Sequence, residues 1–352
     1  MKRQETSIYT IAKEAGVSIA TVSRVINQSA AVSEKSREKV QNAIQKLNYV
    51  PNAAARNLST SSSTSIAVVI PDVDNRFFMR MLQGITQVAD ELEYNVVLFN
   101  TANSVNREHK VLDTIRELRL GGIIITPVSY SDWTTVQKLK DFESFGVPVV
   151  LLDRELIGND FDRVASADEQ GSFDAVSELI RLGHQKIALI SGPECVYPVY
   201  KRMNGYYHAM SSAGIAVQEE YIRSGDFTVE TAYQETMALF QLPDPPTAVF
   251  AFNNDTTYGC LKAFGDLGLT VGKDVALIGF DDIEELQWIH FDISVVDRDV
   301  IQMGRLAMER LARRMQSQCD EMQTVLTCVK TKVILRGSEK LPANVLLRNS
   351  AG

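Results

Sequence analysis

The stretch "TIAKEAGVSIATVSRVINQSAAVSEKSREKVQNAIQKLNY", Thr10 to Tyr49, decides how the front of this 352-residue chain is read. Ile11, Ala12, Ala15 and Val17, then Val22, Val25 and Ile26, form two short apolar faces at helical spacing. Gly16 stands between them, where the backbone must turn sharply. Ser18 occupies the position of an N-cap, whose hydroxyl takes one of the free amides opening the second helix. A third amphipathic helix follows, with Ser33 as its candidate cap and Val40, Ile44 and Leu47 on one face. Three short helices with a tight turn between the first two describe a helix-turn-helix, whose second helix enters the major groove of DNA.

Charge is distributed in keeping with that reading. Met1 to Ser62 carries nine Lys/Arg against four acids, a balance of +5 in a chain whose net charge is −8. A basic head on an acidic body implies that only the head meets a polyanion. Thr10, Ser18, Thr21, Ser23 and Asn27 are short donors suited to phosphates, which fix register without reading sequence, although a cap or plain surface role suits each hydroxyl as well.

The form of the turn, "AKEAGVSIATVSRVIN", is more specific than a helical pattern, and Thr10 to Ser59 resembles the DNA-binding headpiece of the lactose-repressor family. The likeness continues along nearly the whole chain. It implies that base edges are read by Ile19, Ala20 and Arg24. Arg24 can donate two hydrogen bonds to guanine O6 and N7, while Ile19 and Ala20 offer apolar contact, for example to a thymine methyl. The resemblance also implies a hinge helix in "YVPNAAARNLSTSSSTS" (49–65), ordered when a dimer binds its operator. There Leu58 would wedge into the minor groove and small residues such as Ala55 would let two hinges approach. Pro51 and the short length make that segment marginal as an isolated helix, and an ordinary linker is the other reading.

From Ser65 onward, short runs rich in Val, Ile and Leu alternate with helix-length amphipathic sequence: "SIAVVI", "NVVLF", "GIIIT", "VPVVLL", "KIALIS", "TAVFAF" and "DVALIGF". Such runs belong to parallel strands covered on both faces. The fold class expected is α/β, a three-helix headpiece followed by two doubly wound parallel-sheet subdomains of periplasmic-binding-protein type. The boundaries expected are 1–50 for the headpiece, 51–65 for hinge and linker and 66–345 for an effector-binding and dimerisation body. Within the body, "VPVVLLD" (Val147 to Asp153) is expected to close the first subdomain and "HQKIALISGP" to open the second.

Nucleotide-binding and hydrolase motifs are missing: there is no GxGxxG after the first strand, no GxxxxGK[ST] and no GxSxG. The four histidines are scattered, the four cysteines show no CxxC spacing, and His184 before a strand reads as a structural hydrogen bonder. The expectation is therefore a non-enzyme with no cofactor and no metal. No run of eighteen apolar residues and no apolar leader is present, so the expectation is a cytoplasmic protein with no membrane partner.

Ligands of open α/β sheets sit at the carboxyl ends of the strands. The resemblance places effector contacts there at Phe77, Arg202, Phe227, Asn254, Asp255 and Asp281, a set suited to a hydroxyl-rich, sugar-like molecule. Each has an alternative: one of Phe77 and Phe78 as core, one of Asp281 and Asp282 as a helix cap, and Asn254 or Asp255 as an N-cap. Pro198 falls in what reads as the Arg202 loop, and "ISVVDRDVIQMG" departs from the family's "TTVxQP"-like crossover, with Asp297 and Arg298 in place of the usual pair. With no leucine-heptad tail after "TKVILRG", a homodimer on double-stranded operator DNA is the expected assembly. A cytoplasmic small-molecule sensor without a DNA role is the rival reading.

Overall fold

The computed structural model describes residues 7–26, 32–47, 49, 64–158, 160–316 and 323–340. The chain divides into two compact units, Met1–Ser63 and Thr64–Gly352.

In the first unit, α1 (Ile8–Ala15), α2 (Ile19–Ile26) and α3 (Glu34–Lys46) bury Ile11, Ala12, Ala15, Val22, Val25, Val40 and Ala43 in one small core. Gly16 ends α1 in the left-handed region at φ 63, which a residue without Cβ adopts at little cost. Ser18 caps α2 as expected: its Oγ accepts from the Thr21 amide at 3.2 Å. Ser33 differs. It holds the N-cap position of α3, but its hydroxyl donates to Ser36 Oγ at 3.0 Å and caps no amide. Lys46 and Glu14, 2.6 Å apart, tie α3 to α1.

The second unit contains two six-stranded sheets. Sheet one runs in the order β11-β5-β4-β3-β1-β2 and sheet two β12-β10-β9-β8-β6-β7. The seven apolar runs are β1 (Ser65–Ile70), β2 (Asn95–Asn100), β3 (Ile123–Ile125), β4 (Val149–Leu152), β6 (Ile187–Ser191), β8 (Ala248–Ala251) and β9 (Ala276–Phe280). The shorter or more polar strands are β5 (Asp162–Ser166), β7 (Ile222–Ser224), β10 (Ser294–Arg298), β11 (Leu326–Val329) and β12 (Thr331–Ile334). The helices that position the site are α4 (Arg76–Glu91), α5 (Val105–Leu118), α6 (Trp133–Ser144), α7 (Asp168–Arg181), α8 (Tyr197–Ser212), α9 (Val229–Leu239), α10 (Asn254–Asp266), α11 (Glu284–Trp288) and α12 (Val300–Gln316).

The expected subdomain boundary needs correction. The first sheet does not close at Asp153: β5 extends it, and β11 pairs parallel with β5 from far down the chain. Late helix α12 also belongs to this half, since Met303, Ala307 and Leu311 share a core with Ile66, Val68 and Met81. A parallel sheet needs helices on both faces: α12 shares with α4 the face of Ile66, Val68 and Val150, while α5 and α6 cover the other. Its approach to α4 is so close that a Cβ on Gly84 or Gly304 would overlap the other helix's backbone. The chain therefore crosses between halves after β5, after β10 and between β11 and β12.

His184 is buried at 1 % exposure, with Nε2 donating to the Glu339 carbonyl at 3.1 Å and Nδ1 2.9 Å from Thr247 Oγ1. Burial pushes its pKa down to about 4, against the opposing pull of the Glu339 carbonyl. The folded state thus holds the ring neutral. Between the ordinary value of 6.5 and about 4, the unfolded chain binds a proton that the folded chain refuses. Stability contributed by neutral His184 is complete above that window and is lost as pH falls through it, at up to about 1.4 kcal/mol per unit. Urea unfolding across this range should show the loss, and His184→Gln should flatten it; an unchanged acid slope in the variant would assign it to other groups.

Candidate DNA-reading edge and ligand cleft

On the first unit, the start of α2 presents Ser18, Ile19, Ala20 and Arg24 to solvent, while Val22 and Val25 turn into the core. Ile19 is 50 % exposed, which a three-helix core does not require of it. Thr21 and Ser23 are half-buried. Several of the hydroxyls read as phosphate donors already have work: Thr10 Oγ1 and Ser7 form a capping box on α1, and Ser18 and Thr21 Oγ1 lie 2.9 Å apart. Two hydroxyls bonded to each other use one proton between them, which leaves one O–H free. Asn27, Ala55 and Leu58 lie outside the described residues.

The second unit holds a cleft at the carboxyl ends of both sheets. Phe77, Arg202, Phe227, Asn254, Asp255 and Asp281 all line it, joined by Asp72, Asn75, Phe78, Asp153, Arg154 and Arg298. Turn and cap chemistry set the positions. Asn75 caps α4, its Oδ1 accepting from the Phe77 amide at 2.9 Å, and its Nδ2 reaches Asp255 Oδ2 at 3.0 Å. Asp153 and Asp281 follow β4 and β9 at φ 67 and 71, and Asp226 and Phe227 turn at φ 50 and 53. Positive φ is uncommon outside glycine, and aspartate is among the residues that tolerate it. Strain at strand ends is a feature of sites rather than of cores.

The open alternatives resolve in particular ways. Both Phe77 and Phe78 are buried, and both line the cleft. The cap of α10 is Asn253, whose side chain accepts from the Thr256 amide, so neither Asn254 nor Asp255 is spent on that role. Asp282 is held by Arg336 at 2.7 Å and caps nothing, and Asp281 binds Arg298. Arg202 sits within α8, which begins at Tyr197 with Pro198 in its first turn, rather than on a loop. Its guanidinium packs on Phe280 at 3.5 Å from the ring centre, pairs with Asp168 at 2.6 Å and donates to the Phe252 carbonyl.

Arg298 is one of the residues, with Asp72, Asn75, Asp153 and Arg154, that sequence reasoning did not assign to the site. It donates to Asp281 (2.7 Å), to Asp153 (2.8 Å) and to Ser166 Oγ (2.7 Å), and it lies over Phe77 at 4.2 Å. Burial opposes its charge, but Asp281, Asp153 and Asp168 together outweigh that and push its pKa well up. The signal available was the "DRD" departure in the crossover, whose arginine makes these contacts. At the other end, burial and the neighbouring Asp72 raise the Asp255 carboxyl, partly offset by the Asn75 bond. The enclosed space is about 50 Å³, so the arginines themselves fill much of the cleft. Among the described residues no cluster suits a metal ion, and no helix is long and apolar enough to cross a membrane.

Comparison with known proteins agrees with both units. The profile of bacterial regulatory proteins, lacI family, matches residues 7–52, and that of the periplasmic binding protein-like domain matches 176–339. The chain is 33% identical to catabolite control protein A of Priestia megaterium over 313 residues, 89% of this chain and 93% of that one. It is 30% identical to the ribose operon repressor of Halalkalibacterium halodurans, across 95% and 97% of the two chains. Among solved structures, the lac repressor dimer bound to operator and an anti-inducer superposes with a TM-score of 0.80 at 27% identity, covering 96% of this chain and 100% of the other. A complex of the regulator CelR with cellobiose gives 0.71 at 26%, covering 95% and 99%.

Removing one partner from a buried ion network leaves uncompensated charge at a cost of roughly 3–5 kcal/mol. Arg298→Ala should therefore lose stability of that order in chemical denaturation, and Arg298→Met less, because its volume is retained. A loss below about 1 kcal/mol for Arg298→Ala, the range of a surface pair, would show that the network holds nothing together.

Proposed function

The chain belongs to the lacI family of bacterial regulatory proteins, DNA-binding transcriptional regulators with an effector-binding body, and we propose that it is a repressor whose operator affinity answers to a sugar-like molecule in the cleft of Thr64–Gly352. The observation that carries this reading is the pairing of a basic helix-turn-helix with a separately folded acidic body, whose strand ends converge on a polar and aromatic cleft. Relatives named for a ribose operon and solved with cellobiose support a carbohydrate.

In the proposed mechanism Arg24 reads a guanine, Ile19 and Ala20 contact neighbouring base edges, and Thr10, Ser18, Thr21, Ser23 and Asn27 position the head on phosphates. The body acts as a homodimer, a reading supported by the lac repressor dimer and by the exposed apolar surface of Trp288 and Ile289, 68 % and 71 % exposed. The segment carrying Ala55 and Leu58 is the proposed coupler. It would form a helix pair only on bent DNA, so lobe closure need only alter the separation of the two chains' hinge starts.

Arg24→Ala should lose about 1–3 kcal/mol on the cognate operator and tolerate change at one guanine position. Unchanged selectivity at every position in competition binding would remove α2 from base reading. For the cleft, Asn254 is a better probe than Arg202, whose loss would strand buried Asp168. With an inducing effector, Asn254→Ala should leave effector-free operator binding intact and blunt the dose response. A wild-type dose response would take Asn254 out of the ligand site.

A further inference from the structure

Three side-chain atoms among the described residues are buried without a hydrogen-bond partner, and two of them, Arg154 Nε and Asn254 Oδ1, belong to residues that line the cleft. One is a donor and the other an acceptor. Arg154 is 5 % exposed, and its Nη1 donates only to the carbonyls of Pro127 (3.2 Å) and Val128 (3.4 Å). Its guanidinium lies over Phe78 at 5.8 Å. Unlike Arg202 and Arg298, it has no carboxylate in ion-pair contact among the described residues.

The carboxylates that act on Arg154 are committed elsewhere. Asp153 holds Arg298, and Glu108 accepts from the Val128 amide and the Thr135 hydroxyl. Burial lowers the Arg154 pKa, with Asp153 and Glu108 opposing it from beyond contact distance. A buried guanidinium whose charge no contact neutralises is an expensive thing to keep, and buried arginines are otherwise paired. The opposite end of the cleft has the reverse character. Asp72 raises the Asp255 carboxyl there, Asp255 accepts from the Asn75 amide and Asp72 from the Asp74 amide, and Asn254 Oδ1 beside them has no donor.

We propose that the effector is a hydroxylated carboxylic acid, with its carboxylate on Arg154 Nε and its hydroxyls donating to Asn254 and Asp255. This deepens the reading of the cleft as the effector site and rests on it. A carboxylate suits the donor left over, because planar oxygen pairs match the edge of a guanidinium. The hydroxyl end needs no charge, since the open acceptor is the Asn254 amide oxygen and the carboxylate oxygens of Asp255 beside it accept from neutral O–H groups. The open space here, about 50 Å³, has room for only a handful of waters, so a six-carbon acid requires the lobes to part.

The test uses the full chain and matched pairs of ligands by calorimetry: galacturonate against galactose, glucuronate against glucose, glycerate against glycerol, with glucose 6-phosphate as the phosphate arm. A charge-assisted hydrogen bond predicts that one acid binds about tenfold or more tightly than its neutral partner. In Arg154→Gln that ratio should collapse toward one, and Arg154→Lys should restore part of it. Asn254→Ala should weaken the acid as well, which places the acid in the cleft. Tighter binding of the neutral partner, sensitive to Asn254→Ala, would overturn the carboxylate and leave the effector site standing. Tighter binding of the phosphate than of every acid would also overturn it. An acid whose affinity ignores Asn254→Ala, or no binding by any member of the panel, would overturn the proposal together with the cleft reading. The wild-type comparison decides even if an Arg154 variant fails to fold.

Discussion

A single buried guanidinium joins the halves of the body. Arg298 ends β10 of sheet two, takes Asp281 from the end of β9, and reaches Asp153 and Ser166 at the ends of β4 and β5 in sheet one. Each partner alone would be a poor resident of an apolar interior. Together they neutralise one another, and the rings of Phe77 and Phe280 exclude water from both faces. Ion networks of this kind gain little over a well-packed apolar core, but they discriminate sharply between geometries. Here the geometry at stake is the separation of the two sheets at the mouth of their strands.

That constraint organises the cleft around it. Arg202 repeats the pattern one step away, with Asp168 and the Phe252 carbonyl, so two of three cleft arginines are satisfied internally. What is left over is informative because the rest is so fully paired: a donor on Arg154 and an acceptor on Asn254, both residues of the cleft. An empty cleft lined with satisfied groups would say little about its ligand. One with a few specific vacancies in its hydrogen bonding describes the ligand's polarity.

The connection between the two lobes of the body is a matter of topology. Because the chain passes between halves after β5, after β10 and between β11 and β12, the lobes cannot close without moving segments that belong to both. Sequential folding of two separate halves would have given a single crossing. The later helix α12, seated on the first sheet against α4 with Gly84 and Gly304 at the contact, makes the N-terminal half depend on residues far down the chain. A perturbation at Arg298 is thereby two residues from the start of the helix that covers β1.

Sequence alone determined the elements with strong local signals. The helix-turn-helix was legible because Gly16, Ser18 and the apolar spacing around them act within a few residues, and the seven apolar strands because burial on both faces demands continuous Val, Ile and Leu. The cleft's contributors at strand ends were legible through family likeness. Several things were decided only in three dimensions. Strands β7, β11 and β12 lie at sheet edges and bury less than central strands, while β5 and β10 are interior but bury polar residues such as Asp162, Ser166, Ser294 and Arg298. Asn253 took the cap that Asn254 or Asp255 could have filled, and only backbone geometry distinguishes the three. Arg298 looked like a departure from a pattern until Asp153, 145 positions earlier, was found beside it. Charge compensation is a property of distance in space. Local sequence fixes which residues can be buried, but whether a buried charge is met or unmet is settled by residues that the chain brings together from far apart.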